Sequence, residues 1–402
     1  MLRIFFFLLG FVPWDLEAEV QEFSVEVRLS PEEAVLVVGS AEELGAGDPL
    51  NAVMLAPLGE GKWEGKIWLS AGTAGTYQYL KRKTGAEEFE DPKNTVFLGE
   101  PRVQQEVKGG SRAGGRREVE RGKDLKASEV EGRGKLKAPK YLDSPLKEFP
   151  SRMVRVWLPP GYGDGKQRYP VVYCHDGQNI FDPGGPFGSW SADKVAEEEM
   201  RAGRVRPAIL VGIDNTSDRV REYLPPPDVV PEGRPAAGEV GRADLYARYL
   251  REVVKPYVDQ NFRTSADREN TLALGASMGG VVSHYLLEKH GDVFRGAGVF
   301  SPAYWASPKF FAESLRKPMP EGRIYLDMGT REGRSYWPDV IRIYQHWVTG
   351  GAVILGGLWF QAGIRAEHNE KAWRERMPAA LRFLLPPQTE SEIKRSDGDG
   401  AR

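Results

Sequence analysis

The chain has 402 residues, 41% of them hydrophobic, with a formal net charge of -2. Two domains of an ordinary globular protein fit that length, and the balance of charge gives no electrostatic basis for binding nucleic acid or an anionic membrane surface. One cysteine, Cys174, excludes an intramolecular disulfide and a multi-cysteine metal site, and its place in the apolar run 171–174 makes it a buried strand residue.

Residues 1–18 carry a positive charge at Arg3, an apolar run from Ile4 to Trp14 and a small residue at Ala18. They read as a secretory signal peptide whose core is too short to span a bilayer, which predicts a secreted or periplasmic protein, with a cytoplasmic one as the alternative. Residues 20–102 alternate apolar and polar positions over 23–29, 63–69 and 76–81, with a buried strand at 34–38 and Gly or Pro between the runs. This is the pattern of a small β-sandwich. Within 108–137, ten Lys and Arg stand against five Asp and Glu, with no aromatic residue. Such a stretch cannot bury enough apolar surface to fold alone, so 103–139 are expected to be a charged, solvated linker. Residues 140–386 alternate strand and helix, with strands near 153–158, 171–174, 208–213, 271–274, 298–300, 323–328 and 352–360, and helices at 244–262 and 337–347. That alternation predicts an α/β domain with a mainly parallel sheet covered on both faces. The polar tail 387–402 is expected to be disordered.

Gly275-Ala276-Ser277-Met278-Gly279 spells G-x-S-x-G, preceded by a short apolar strand and followed by a helical run from Val281. Small residues permit the sharp strand-to-helix turn that exposes a serine hydroxyl above the sheet, so Ser277 is the expected nucleophile of an α/β-hydrolase. A serine hydroxyl needs a base, and in this fold the chain order is Ser, acid, His. Of five histidines, His175 precedes the serine. His284 and His290 follow on the helix leaving the turn and read as surface or helix-end residues. His346 sits beside Trp347 within a helix and reads as a packing residue. His368, in the loop after the last strand, is the expected base. Glu332, just past a strand in Gly329-Thr330-Arg331-Glu332, is the expected acid, with Asp339 and Asp327 as alternatives. The oxyanion needs backbone N–H donors; Met278 supplies one and Gln178, in the loop after strand 171–174, the other. Glycine-rich 184–188 lacks the Lys-Ser/Thr of a phosphate loop. The reading invokes no metal and no cofactor.

The segments Trp157 to Tyr162, Tyr169 to Tyr173, Asp176 to Phe181, Glu222 to Pro225, Gly275 to Gly280 and His368 to Trp373 resemble the esterase D-like family of α/β-hydrolases. That family includes siderophore, feruloyl and acetylxylan esterases and mycolyltransferases. The resemblance covers 140–386. It implies Ser277, Glu332 and His368 as catalytic residues, Gln178 and Met278 as oxyanion donors, and Trp190 and Arg219 at the border of the substrate pocket. Residues 20–102 are similar to the starch-binding carbohydrate-binding module family 20, through Val37 to Ser40, Asp48-Pro49, Trp63, Tyr77 to Tyr79 and Phe89 to Pro92. The two tryptophans on which such modules stack glucose are replaced here by Gly47 and Phe89, leaving Phe89 and Tyr77 as the aromatic residues for sugar. Together these imply a serine esterase acting on a small or polysaccharide ester, with possible glucan binding. The alternatives are a carbohydrate-binding protein with a secondary hydrolase domain, a siderophore esterase, and acyl transfer to a sugar.

Overall fold

The computed structural model describes residues 19–104, apart from 31, 70–72, 85–88 and 90–91, and residues 133–387, apart from 148 and 334–335. The expected signal peptide, most of the expected linker and nearly all of the expected tail lie outside the described residues.

The N-terminal part forms the strands β1 (Glu19–Glu26), β2 (Glu33–Gly39), β3 (Val53–Met54), β4 (Ala56–Gly59), β5 (Lys62–Leu69), β6 (Gly75–Lys83) and β7 (Val96–Gln104). They make two antiparallel sheets, in the orders β1-β5-β4 and β3-β2-β6-β7. The alternation in β5 turns Trp63, Ile67 and Leu69 into the interior, where they meet the buried β2 residues Val35 and Val37. Period-two burial of this kind fixes the register, because a one-residue slip would expose the whole set.

The second part adds β8 (Lys135–Leu136), β9 (Lys140–Leu142), β10 (Arg152–Leu158), β11 (Val171–His175), α1 (Ala192–Arg201), β12 (Ile209–Ile213), α2 (Arg219–Tyr223), α3 (Ala243–Tyr249), α4 (Lys255–Asn261), β13 (Thr271–Ala276), α5 (Met278–Lys289), β14 (Gly296–Phe300), α6 (Pro308–Ser314), β15 (Arg323–Gly329), α7 (Trp337–Thr349), β16 (Leu358–Gly363) and α8 (Glu370–Leu384). Its nine-stranded sheet runs β16-β15-β14-β13-β11-β12-β10-β8, with β9 also on β10. The six strands from β16 to β12 are parallel, and β10 closes the far side antiparallel. Strands β11 to β14 are buried along their whole length, as central parallel strands covered on both faces must be. This is an α/β-hydrolase fold preceded by a β-sandwich. One helix predicted at 244–262 is observed as α3 and α4 joined by a π turn, Leu250–Val254, just before Pro256, whose missing N–H cannot extend the ladder.

Two expectations need correction. Lys135 and Leu136, placed in the linker, pair with Leu158 and Trp157 in the hydrolase sheet, and Gly134 lies so close to the Trp157 ring that an added Cβ would stand 2.1 Å from it. The strand expected over 352–360 begins only at Leu358, because Gly356-Gly357 and the left-handed Leu355 turn the chain first. That turn has a structural use. Ile354 donates to the Lys66 carbonyl at 2.9 Å and accepts from Trp68 N–H at 3.1 Å, so the edge of β5 is hydrogen-bonded to the hydrolase domain. The Tyr344 hydroxyl on α7 donates to the Met54 carbonyl at 2.8 Å.

Phe89, expected to face sugar, is instead 3% exposed, packed on Trp337 of α7 with ring centroids 5.4 Å apart and under the Arg82 guanidinium at 4.9 Å. Phe89→Ala is therefore expected to destabilise the protein by about 3–5 kcal/mol, the usual cost of deleting a buried phenyl ring. Urea unfolding checks this, and a loss under about 0.5 kcal/mol would contradict the buried contact.

Candidate active site

Ser277 joins β13 to α5 with φ +60° and ψ -121°, a conformation rare for any residue with a Cβ. Neighbouring backbone enforces it. Ser277 N–H donates to the Phe300 carbonyl at 3.0 Å, and Ala303 N–H donates to the Ser277 carbonyl at 3.2 Å. A Cβ at Gly275 would lie 2.8 Å from the Gly279 carbonyl oxygen, and one at Gly280 would lie 2.7 Å from that of Phe300. Ser277 is partly exposed between buried Ala276 and Met278, at the positive end of α5.

Glu332 and His368 come together from the carboxyl ends of β15 and β16. His368 Nδ1 lies 2.8 Å from Glu332 Oε2, and the Glu332 side chain has no exposed surface. Its other oxygen, Oε1, accepts from Ser301 Oγ at 2.7 Å, Gly329 N–H at 2.8 Å and Arg376 Nη2 at 3.1 Å. The His368 ring lies between Tyr336, 5.2 Å away, and the edge of Trp373, 5.0 Å away. Asn369 caps α8 by accepting from Ala372 N–H, which fixes the chain just after His368.

Behind Glu332 lies a second carboxylate. Asp327 Oδ2 accepts from Arg376 Nε at 2.8 Å, and Asp327 Oδ1 accepts from Ser301 N–H at 3.0 Å. Burial alone would push the Arg376 guanidinium pKa down; the charges of Asp327 and Glu332 reverse that and hold it up. Burial pushes the Asp327 carboxyl up, against the pull of Arg376. The sequence reading missed Ser301, Arg376 and Trp373 as supports of Glu332. The acid alternatives sit elsewhere: Asp327 binds Arg376, and Asp339 lies in the first turn of α7.

Gln178 is in the one-turn helix Gly177–Asn179 that follows β11. Its side-chain oxygen accepts from Asn215 N–H at 3.1 Å, and a Cβ at Gly177 would lie 2.5 Å from Gly212. Asp176, left-handed at φ +56°, takes both the Nε and Nη2 of Arg219, at 2.6 and 2.7 Å. Arg219, expected at the pocket border, is thus committed to an ion pair and lies over Tyr223. Trp190, expected there too, is 3% exposed and packs on Phe300 and Trp373, one ring behind His368. Tyr77 packs edge-on against Phe23 and Tyr79 in the sandwich.

Among the other histidines, His284 departs from expectation and His290 does not. His284 is not a surface residue: it is fully buried on α5, within 5.1 Å of the Phe310 and Trp347 rings and 3.1 Å from the Tyr304 hydroxyl. His175 is buried, with Nδ1 2.8 Å from the Tyr246 hydroxyl. His290 caps the end of α5, and His346 Nε2 lies 2.7 Å from the Lys317 carbonyl.

The fold and the strained strand-to-helix turn at Ser277 define the class, an α/β-hydrolase fold. The family model described as "Putative esterase" matches residues 150–384, and the chain belongs to that family. The starch binding domain model matches residues 18–106. The chain is 25% identical over 195 residues to uncharacterized protein YbbA of Bacillus subtilis, a match covering 46% of this chain and 70% of that protein. It is 26% identical over 231 residues to the iron(III) salmochelin esterase of Escherichia coli, covering 52% of this chain and 50% of that one. It is also 25% identical over 183 residues to an endo-1,4-beta-xylanase/feruloyl esterase of Xylanibacter ruminicola, covering 44% of this chain and 22% of that one. Among solved structures, an IroE-like serine hydrolase from Shewanella oneidensis superposes with a TM-score of 0.51 at 21% identity, over 62% of this chain and 79% of that one. Among the described residues, no helix is long and apolar enough to cross a membrane.

Burial pulls the pKa of His175 down to about 3 and that of His284 to about 4. The unfolded chain therefore binds protons that the folded one does not, once the pH falls below the ordinary histidine value near 6.5. Stability is complete above that pH and falls as the pH drops towards these folded values, by about 1.4 kcal/mol per pH unit for each histidine. His284→Gln is expected to flatten the slope between pH 6.5 and 5 in urea unfolding. An unchanged slope would contradict the assignment.

Proposed function

We propose that the protein is a serine esterase that cleaves carboxylic esters through an acyl-enzyme, without a metal. Ser277 Oγ attacks the ester carbonyl carbon as His368 takes its proton at Nε2. Glu332, on the opposite ring nitrogen, keeps the imidazole in the tautomer with a free Nε2 and stabilises the imidazolium. The backbone N–H groups of Gln178 and Met278 receive the oxyanion. His368 then protonates the departing alcohol. Water, deprotonated by the same nitrogen, attacks the acyl carbon, releases the acid and restores Ser277.

The observation that carries this reading is the 2.8 Å contact between His368 Nδ1 and a fully buried Glu332 whose other oxygen is already saturated. Only the imidazole is left for Oε2 to serve, as the base of a hydrolase requires. Relatives named as feruloyl and salmochelin esterases support ester cleavage. The starch-binding-domain match favours a carbohydrate-linked ester and a glucan contact on the sandwich. That contact would have to use a surface other than Phe89, which faces the hydrolase domain. A secreted or periplasmic location remains part of the proposal.

Ser277→Ala is expected to lower p-nitrophenyl butyrate hydrolysis by about three to six orders of magnitude in kcat, and Glu332→Gln by two to four. Fluorophosphonate labelling should modify wild type and spare Ser277→Ala. Turnover that survives in Ser277→Ala at wild-type level would overturn the reading. Retention on insoluble starch would show the sandwich binding glucan, independently of the triad.

A further inference from the structure

Beyond the catalytic residues, a half-open groove of about 450 Å³ lies between α6 and α7, lined by Trp305, Phe311, Leu315, Arg316, Asp339 and Arg342 among others. Its lining starts at Tyr304, the residue after Ala303, whose N–H holds the Ser277 carbonyl. A line of rings connects it to the base: Trp305 meets Tyr336 edge-on at 5.9 Å, and Tyr336 lies 5.2 Å from the His368 ring. Trp305 is 39% exposed, which leaves part of its ring open to a ligand.

The charges in the groove are unbalanced. Two guanidinium groups face one carboxylate. Both arginines are exposed, neither forms a side-chain hydrogen bond or close ion pair with the described residues, and Arg342 acts on Asp339 only through space. The neighbouring Lys317, by contrast, is spent on Glu288 and Glu313. An exposed aromatic face beside two uncommitted guanidinium groups matches a planar, negatively charged ligand, because Arg both pairs with anions and stacks on rings.

We infer that this groove is a distal subsite for the alcohol part of the ester, and that it takes an aromatic group bearing a negative charge. The inference rests on the proposed roles of Ser277 and His368. The group that protonates the leaving alcohol must lie on the alcohol's side of the scissile bond, and the Tyr336–Trp305 line leaves the site from His368. A chain of a few methylenes between the ester and the ring spans the two intervening ring contacts. Binding energy from such a remote part can raise turnover as well as affinity.

The test compares the acetate esters of 4-phenylbutanol and of its para-carboxy derivative, followed by acid release in a pH-stat. Wild type is expected to prefer the carboxy ester in kcat/KM by at least about fivefold at low salt, with the preference shrinking as salt screens the arginines. In the double variant Arg316→Ala, Arg342→Ala the ratio should fall to about one, and Trp305→Ala should lower both esters relative to p-nitrophenyl acetate. A wild-type ratio near one, or a ratio untouched by the double variant, overturns the inference. Calorimetric titration with 2-naphthoate separates this from failure of the catalytic reading. Saturable binding to Ser277→Ala that is lost in the double variant supports the groove even where no ester turns over. An absence of saturable binding at millimolar 2-naphthoate overturns it.

Discussion

A carboxylate with no exposed surface has to find within the protein the donors that water would have supplied, and Glu332 finds four. Three of them, from Ser301, Gly329 and Arg376, converge on Oε1, and the fourth is the His368 ring on Oε2. These donors come from the ends of β14, β15 and β16 and from the middle of α8, so the site exists only when the sheet edge and that helix are packed together. Removing one partner of such a buried charge is strongly destabilising, since the other is left without compensation. The arrangement that orients His368 is therefore also part of what holds the domain together.

The charge balance of the cluster bears on its chemistry. Asp327 and Glu332 bring two negative charges and Arg376 one positive charge, all buried. These three side chains together carry one net negative charge, and the His368 ring adjoins them through Glu332 Oε2. On the proposed mechanism, that charge lies beside the ring that takes the Ser277 proton, where a fixed negative charge is placed to meet the developing positive one. Arg376 shares Glu332 Oε1 with the Ser301 hydroxyl and the Gly329 N–H. The Tyr336 and Trp373 rings flank the imidazole and restrict its rotation.

Much of this was readable from local pattern. Ser277 was legible because glycines before and after a strand-to-helix junction have a steric reason to be there, and His368 because it sits in the loop after the last strand. Glu332 was legible from its place just past β15. Its supports were not: Ser301 and Arg376 lie 31 and 44 residues away along the chain, and nothing local marks an arginine inside an amphipathic helix as buried. His284 was misjudged because α5 was treated as having a wet face, whereas the helix that follows Ser277 is buried from Met278 to Leu287. Its all-round run of Val281, Val282, Tyr285, Leu286 and Leu287 carried that signal. Phe89 was misjudged for another reason. An aromatic residue at a position where relatives bind sugar fits equally well against another domain, and only Trp337 on α7 decides between the two.

The central claim is that Ser277 becomes acylated and His368 drives the turnover. Acid quenching within milliseconds of mixing with p-nitrophenyl acetate, followed by peptide mass analysis, tests it most directly. The account predicts an acetyl group on the peptide containing Ser277, formed together with a burst of p-nitrophenolate and absent, burst and adduct alike, in His368→Ala. Steady release of product with no adduct on that peptide, or an adduct that forms equally fast in His368→Ala, would contradict it.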